Sequence, residues 1–233
     1  MRFLILFSMI AFFGVSEIDA QEDKIDFDNA QIINEERYQG FKGNAYYFQL
    51  WVYGDVYNQS GGRYEDLLLN YNIETSTFEV KDGKRYIELD PRNYWAVVVN
   101  QDQNVINLDE KKDSVVFIRG LIPDDERKFV EVVYNGSRVK LLKDLFIVTT
   151  SQQVENLGQN TKLKRFTRKD RYFLVVDGEY KKIKMNKKDA LKTMGHKKEL
   201  EKWLNSNNNK LTMEKDWMAL MQYFEENHLS PLY

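Results

Sequence analysis

Phe129-Val-Glu-Val-Val-Tyr134, then Asn135-Gly136, then Val139-Lys-Leu-Leu-Lys-Asp-Leu-Phe146, is the stretch that decides the fold. Two runs rich in β-branched and aromatic residues flank a pair suited to positive backbone φ, which is the pattern of a hairpin with a tight reversal. The device recurs: residues 77–80 and 85–89 flank Asp82-Gly83, and residues 171–176 and 180–185 flank Asp177-Gly178. Residues 95–99 and 115–121 are short apolar runs for inner strands, with Pro91 and Pro123 where those strands should end. Residues 44–57, crowded with aromatic and β-branched side chains, read as one further strand buried on both faces. No strand is followed by the long helical crossover that parallel pairing needs, so the pairing is expected to be antiparallel.

The last quarter changes period. Residues 187–194, 197–205 and 213–227 have helical spacing, and Gly195 stops the first. In the third, Met213, Trp217, Leu220, Met221 and Phe224 recur at intervals of three and four, so one face is for burial. The fold class expected is α+β: an antiparallel, strongly twisted sheet, sandwich or partial barrel over residues 41–185, with three short helices in 186–233 packed on it.

The beginning of the chain reads as an address. Arg2, an apolar run over residues 3–15 and a small residue at Ala20 form a secretory signal over residues 1–20, with cleavage expected before Gln21. The apolar run has 13 residues, where a membrane-spanning helix needs about 20. No Cys is present, so a lipid-anchored lipoprotein, a thiol nucleophile and a thiolate metal site are excluded. Residues 21–40 form an acidic leader, either loose or added as an edge strand. Export to the periplasm or cell surface is the expected location, with no transmembrane segment after cleavage.

The net charge of −2 conceals an asymmetry: residues 21–161 hold 16 basic and 24 acidic residues, whereas residues 162–233 hold 17 and 10. Such halves can dock on one another, or the basic one can face an acidic partner. A near-neutral whole does not favour nucleic-acid binding.

Catalytic signatures are absent. There is no Gly-x-Ser-x-Gly elbow, no phosphate-binding Gly-x-x-x-x-Gly-Lys-Ser/Thr loop and no Gly-x-Gly-x-x-Gly. His196 and His228 lie near helix ends, where capping is the commoner role. Asp102, Asn104 and Asp109 begin like a calcium loop, but Ile106 occupies a ligand position and no Gly follows it; Asp124, Asp125 and Glu126 read as a solvated loop. No cofactor and no metal are expected.

Two binding candidates remain. Lys162, Lys164, Arg165, Arg168, Lys169 and Arg171 make six of ten consecutive residues basic, with Phe166 among them. They suit a phosphate or acidic glycan, or else a charged edge strand that resists aggregation. Trp51, in a row with Tyr46, Tyr47, Phe48 and Tyr53, could stack on sugars or fill a core.

The run 139–145 after the Asn-Gly turn, then Arg165-Phe-Thr-Arg-Lys-Asp-Arg-Tyr-Phe, then Lys187-Lys-Asp-Ala-Leu and finally residues 217–224 are similar to uncharacterised secreted β-rich proteins of Bacteroidota with a short helical C-terminal segment. The resemblance implies an exported envelope protein and supplies no active-site residues. Function is therefore expected to be non-enzymatic: a module binding a protein or an anionic envelope component. The alternatives are a carboxylate-dependent hydrolase of envelope glycans or peptides, and a small-ligand or lipid carrier.

Overall fold

A computed structural model describes residues 31–100, 114–123, 125–156 and 159–227. For residues 35, 154–156 and 159–162 only the backbone is described. The export signal, the leader up to residue 30, Asp102, Asn104, Asp109, Asp124 and His228 lie outside the described residues.

One 12-stranded sheet forms the body. Its strands are β1 (Gln31–Ile32), β2 (Phe41–Lys42), β3 (Val52–Asn58), β4 (Arg63–Asn72), β5 (Thr77–Asp82), β6 (Arg85–Glu88), β7 (Tyr94–Asn100), β8 (Ser114–Arg119), β9 (Phe129–Asn135), β10 (Val139–Asn156), β11 (Gln159–Val176) and β12 (Glu179–Ile183). Their order is β1-β6-β5-β4-β3-β7-β8-β9-β10-β11-β12, with β2 beside β11. Three helices follow, α1 (Lys187–Met194), α2 (Lys197–Ser206) and α3 (Glu214–Glu226). The α+β class is as the sequence implies, and the sheet is consistent with a sandwich or partial barrel.

Three apolar clusters hold it, the smallest being Ile122, Val130, Leu142 and Val175. In the first, Val56, Leu69, Tyr71, Phe78, Phe117 and Phe129 are fully buried. Phe78 meets Phe129 edge-on at 5.2 Å, and the Tyr71 hydroxyl donates to the Phe129 carbonyl at 3.0 Å. The second core lies between the helices and one sheet face: Trp217, Leu220, Met221 and Phe224 of α3 against Leu141, Leu174, Val176 and Ile183. Isolated helices of this length are marginal in water. Each large apolar side chain buried here contributes about 1.5–3 kcal/mol, so the sheet stabilises the helices.

Local chemistry explains where expectation and structure part. The Asp177-Gly178 turn is as expected, with both residues at positive φ (47° and 86°) between Val176 and Glu179. At the first hairpin the loop is Gly83-Lys84, one residue later than expected, because Asp82 already pairs with Arg85. At Asn135-Gly136 the loop runs over residues 136–138, and Gly136 is not among the positive-φ glycines.

Residues 44–57 are not one strand; β3 begins only at Val52. Before it, the Asn70 side chain takes the place of a strand partner, accepting from the Phe48 N–H (3.1 Å) and donating to the Phe48 (3.0 Å) and Leu50 (3.2 Å) carbonyls. The consecutive Tyr47 and Phe48 of this irregular segment are both buried. β4 escapes sequence reading because it opens with exposed Arg63 and Glu65, is broken by Asp66 at φ 53° and buries Asn70 and Asn72. The leader adds an edge strand, as one of the two expectations had it: β1 pairs with β6. The expected all-antiparallel pairing fails once, where β2 runs parallel to β11.

Candidate functional site

β10 and β11 are each 18 residues long and pair through an unbroken register in which opposed residue numbers sum to a constant. Alternation along β11 therefore divides the basic stretch. Lys164 and Arg168 share the face of Phe166; Arg165, Lys169 and Arg171 lie on the other. Lys162 pairs with Gln153 through its backbone, and its side chain is outside the described residues. The six cations thus do not form one surface.

Several are engaged. Arg168 lies over the Tyr47 ring at 4.6 Å and near Asp170 at 3.5 Å, and Lys164 lies over Phe41 at 4.8 Å. Arg171 pairs with the fully buried Asp144, which Lys128 also reaches at 2.6 Å. Arg165 and Lys169 are exposed and meet no carboxylate among the described side chains, and Lys42 stands in register beside Arg165. The edge-strand reading of this stretch holds in part: β10 pairs with β11 along its whole length, but on the other side β2 covers only Lys164 and Arg165 and β12 begins opposite Tyr172, so residues 166–171 have no strand there among the described residues.

Trp51 borders a cavity of about 120 Å³ with Tyr46, Tyr86, Arg37 and Glu79. Its ring is 5.3 Å from Tyr86 and 6.0 Å from Tyr46, both tilted. Glu79 is fully buried; it pairs with Arg37 and accepts from the Tyr46 hydroxyl (2.9 Å) and the Asn72 amide (2.6 Å). Burial, then the Glu79 charge, pushes the Tyr46 phenol up, and burial takes Tyr38 up to about 12. Glu88 stands opposite Glu79 in register, and burial followed by the Glu79 charge raises its carboxyl. A carboxylate has about four acceptor positions. Glu79 commits three of them to donors, two of which, Arg37 and Tyr46, tie the segment 34–46 to the sheet, so its geometry is that of an anchor.

A second buried network joins sheet to helix. Lys143 meets Glu214 at 2.9 Å and Glu131 at 3.6 Å, Tyr47 donates to Glu131 at 3.1 Å, and Tyr172 donates to Glu214 at 2.9 Å. Burial works against the Lys143 charge, but Glu131 and Glu214 outweigh it and raise the ammonium above its ordinary value. His196, at φ 45°, packs edge-on to Phe224 at 6.2 Å as part of the α1–α2 junction. Among the described residues, no group of three His, Asp or Glu side chains could hold a metal ion. Nor is any helix among them long and apolar enough to cross a membrane.

A concavity that sequence reading missed lies between α1 and α2. Lys187, Lys188, Lys192 and Lys197 line a groove of about 610 Å³ with Leu191, and Glu201 is its one carboxylate. Lys187 donates to the Asn205 side chain at 3.3 Å. The available signal was Lys188 and Lys192 at i and i+4, a like-charge pair on one helix face that costs about 0.2–0.5 kcal/mol.

No protein-family model, no curated protein and no solved structure matches the chain.

Proposed function

We propose that the protein is an exported, non-enzymatic module that binds a phosphate-bearing component of the cell envelope in the groove between α1 and α2. The observation that carries this reading is the convergence of Lys187, Lys188, Lys192 and Lys197 on one concave surface with a single carboxylate, Glu201. Ammonium groups held near one another repel, and a multiply charged anion relieves that repulsion while releasing counterions. Arg165, Lys169 and Lys42 add positive charge elsewhere on the molecule. The carrier alternative called for a roomy interior behind Trp51; the cavity there, about 120 Å³, is below the roughly 300–1,000 Å³ of ordinary ligand pockets.

The test is titration of the purified protein with pyrophosphate and, separately, with vesicles of phosphatidylglycerol or phosphatidylcholine. Binding to pyrophosphate or to phosphatidylglycerol alone, weakened at least tenfold in Lys188→Glu/Lys192→Glu and by added salt, is expected. Equal binding by that variant, or no binding to either anionic probe, overturns the reading.

A second reading, a carboxylate-dependent hydrolase, rests on Glu79 and Glu88 facing one another in register. It requires turnover of an envelope glycan or peptide that is lost in Glu88→Gln.

A further inference from the structure

We infer that the outer edge of β10 is the pairing edge of a two-fold homodimer. β9 pairs with β10 only from Lys140 to Lys143, and beyond that point no strand among the described residues lies on the outer side of β10. From Val148 to Gln153 every side chain is exposed. An open edge of this length is a template for another strand, and proteins that stay monomeric blunt such edges with Lys, Pro or a bulge.

This edge has none of those guards. Residues 147–154 read Ile-Val-Thr-Thr-Ser-Gln-Gln-Val, without charge, proline or glycine, in a chain that is 30% charged. The same arm's other strand, β11, carries the six cations. The register from Val139 to Asn156 has no bulge against β11. The Val139 carbonyl accepts from the Gly136 N–H, away from β11, at 2.9 Å. Strict alternation then directs the backbone N–H and C=O groups of Ile147, Thr149, Ser151 and Gln153 outward, while Val148, Thr150 and Gln152 bond to β11.

A second copy of this chain fits that edge better than a charged or irregular segment. Antiparallel self-pairing centred on Thr150 sets Thr149 against Ser151 and Ile147 against Gln153, so outward groups meet outward groups. In that register Asp144 faces Asn156 and Glu155 faces Leu145; no like charges are opposed. The β11 cations of the two copies would be separated by three strand spacings, about 14 Å, beyond the screening length of about 8 Å at physiological salt. Because the two-fold uses the same edge of both copies, pairing through β10 closes at two and leaves neither copy's β10 edge to propagate a fibre. It also places Lys42, Arg165 and Lys169 of both copies on one face of a continuous sheet.

The experiment is sedimentation equilibrium of the purified protein from 1 µM to about 500 µM, alongside Ser151→Pro and Thr149→Lys. Proline at Ser151 removes an outward N–H without removing a bond to β11. Lysine at Thr149 sets charge beside charge across the two-fold. A monomer–dimer equilibrium in the parent chain is expected, with the dissociation constant raised at least tenfold in both variants and far-ultraviolet dichroism and melting temperature retained. A parent chain that is monomeric throughout, one that grows beyond dimers, or variants that are well folded and dimerise as tightly as the parent all overturn the inference. If Ser151→Pro fails to fold, Thr149→Lys alone decides.

Discussion

Gly136 and Glu225 compete for one volume: a Cβ on Gly136 would collide with Glu225 Oε1 and lie 2.8 Å from Tyr134 Cε1. The carboxylate is there because it closes the β9–β10 loop, accepting from the Ser137 hydroxyl (2.6 Å) and from the Arg138 (2.8 Å) and Val139 (3.0 Å) N–H groups. A residue at the end of α3 thus finishes a hairpin nearly ninety residues earlier, and ties the helical segment to the sheet.

Gly136→Ala is accordingly expected to destabilise the protein by about 1–3 kcal/mol, the usual cost of overpacking a closed site. Glu225 cannot swing aside without leaving three donors unpaired. Urea unfolding of Gly136→Ala, Glu225→Ala and the double variant checks this. The double variant should lose less than the sum of the two, since each change removes what the other disturbs.

Two carboxyl groups should bend the pH dependence of stability in opposite senses. Burial works to raise the Glu225 carboxyl, but the Ser137 hydroxyl and the two backbone N–H groups outweigh it and hold it below its ordinary value of 4.5. A folded value below the unfolded one means stabilisation that is present above 4.5 and is lost as pH falls through the folded value. Glu88 is the reverse case: burial and Glu79 raise it above 4.5. Its contribution is therefore full below 4.5 and is lost as pH rises through the folded value. In melting curves from pH 3 to 8, Glu225→Gln should melt lower at pH 7 and lose less on acidification than the parent. Glu88→Gln, which mimics the protonated form, should melt higher at pH 7.

Lys143→Met is expected to cost about 3–5 kcal/mol, because it removes the cation beside the buried Glu131 carboxylate. Glu131 is 1% exposed and accepts from the Tyr47 hydroxyl at 3.1 Å, with the Lys143 ammonium 3.6 Å away. Lys143→Met with Glu131→Gln should recover much of the loss, since the buried carboxylate charge is then removed together with its cation. Chemical denaturation of both variants measures the difference.

The hairpins and helices were legible because their signals are local. Asp177-Gly178 reverses the chain by its own φ preferences, and Met213, Trp217, Leu220, Met221 and Phe224 repeat with the helical period whatever surrounds them. Asn135-Gly136 reads the same way, yet its glycine answers to the approach of Glu225 and not to a strained φ. Nothing within a hairpin-sized window contains that information. The basic stretch was legible as composition only: which face each cation takes depends on the register of β11 against β10, and whether it is spent depends on Asp144, Tyr47 and Phe41, far away along the chain. The lysine groove needed two helices folded toward one another before its charges shared a surface.

Sequence alone determined the α+β class, most of the antiparallel pairing and the apolar face of α3, since periodicity and turn chemistry act over a few residues. Tertiary structure decided that residues 44–51 leave the strand, that Glu79 and Asp144 are buried and paired, that the cations of β11 part to two faces, and that among the described strands none covers the outer side of β10 beyond Lys143. Hydrogen bonds, ion pairs and close contacts are satisfied between residues distant in the chain, and their partners exist only once it has folded.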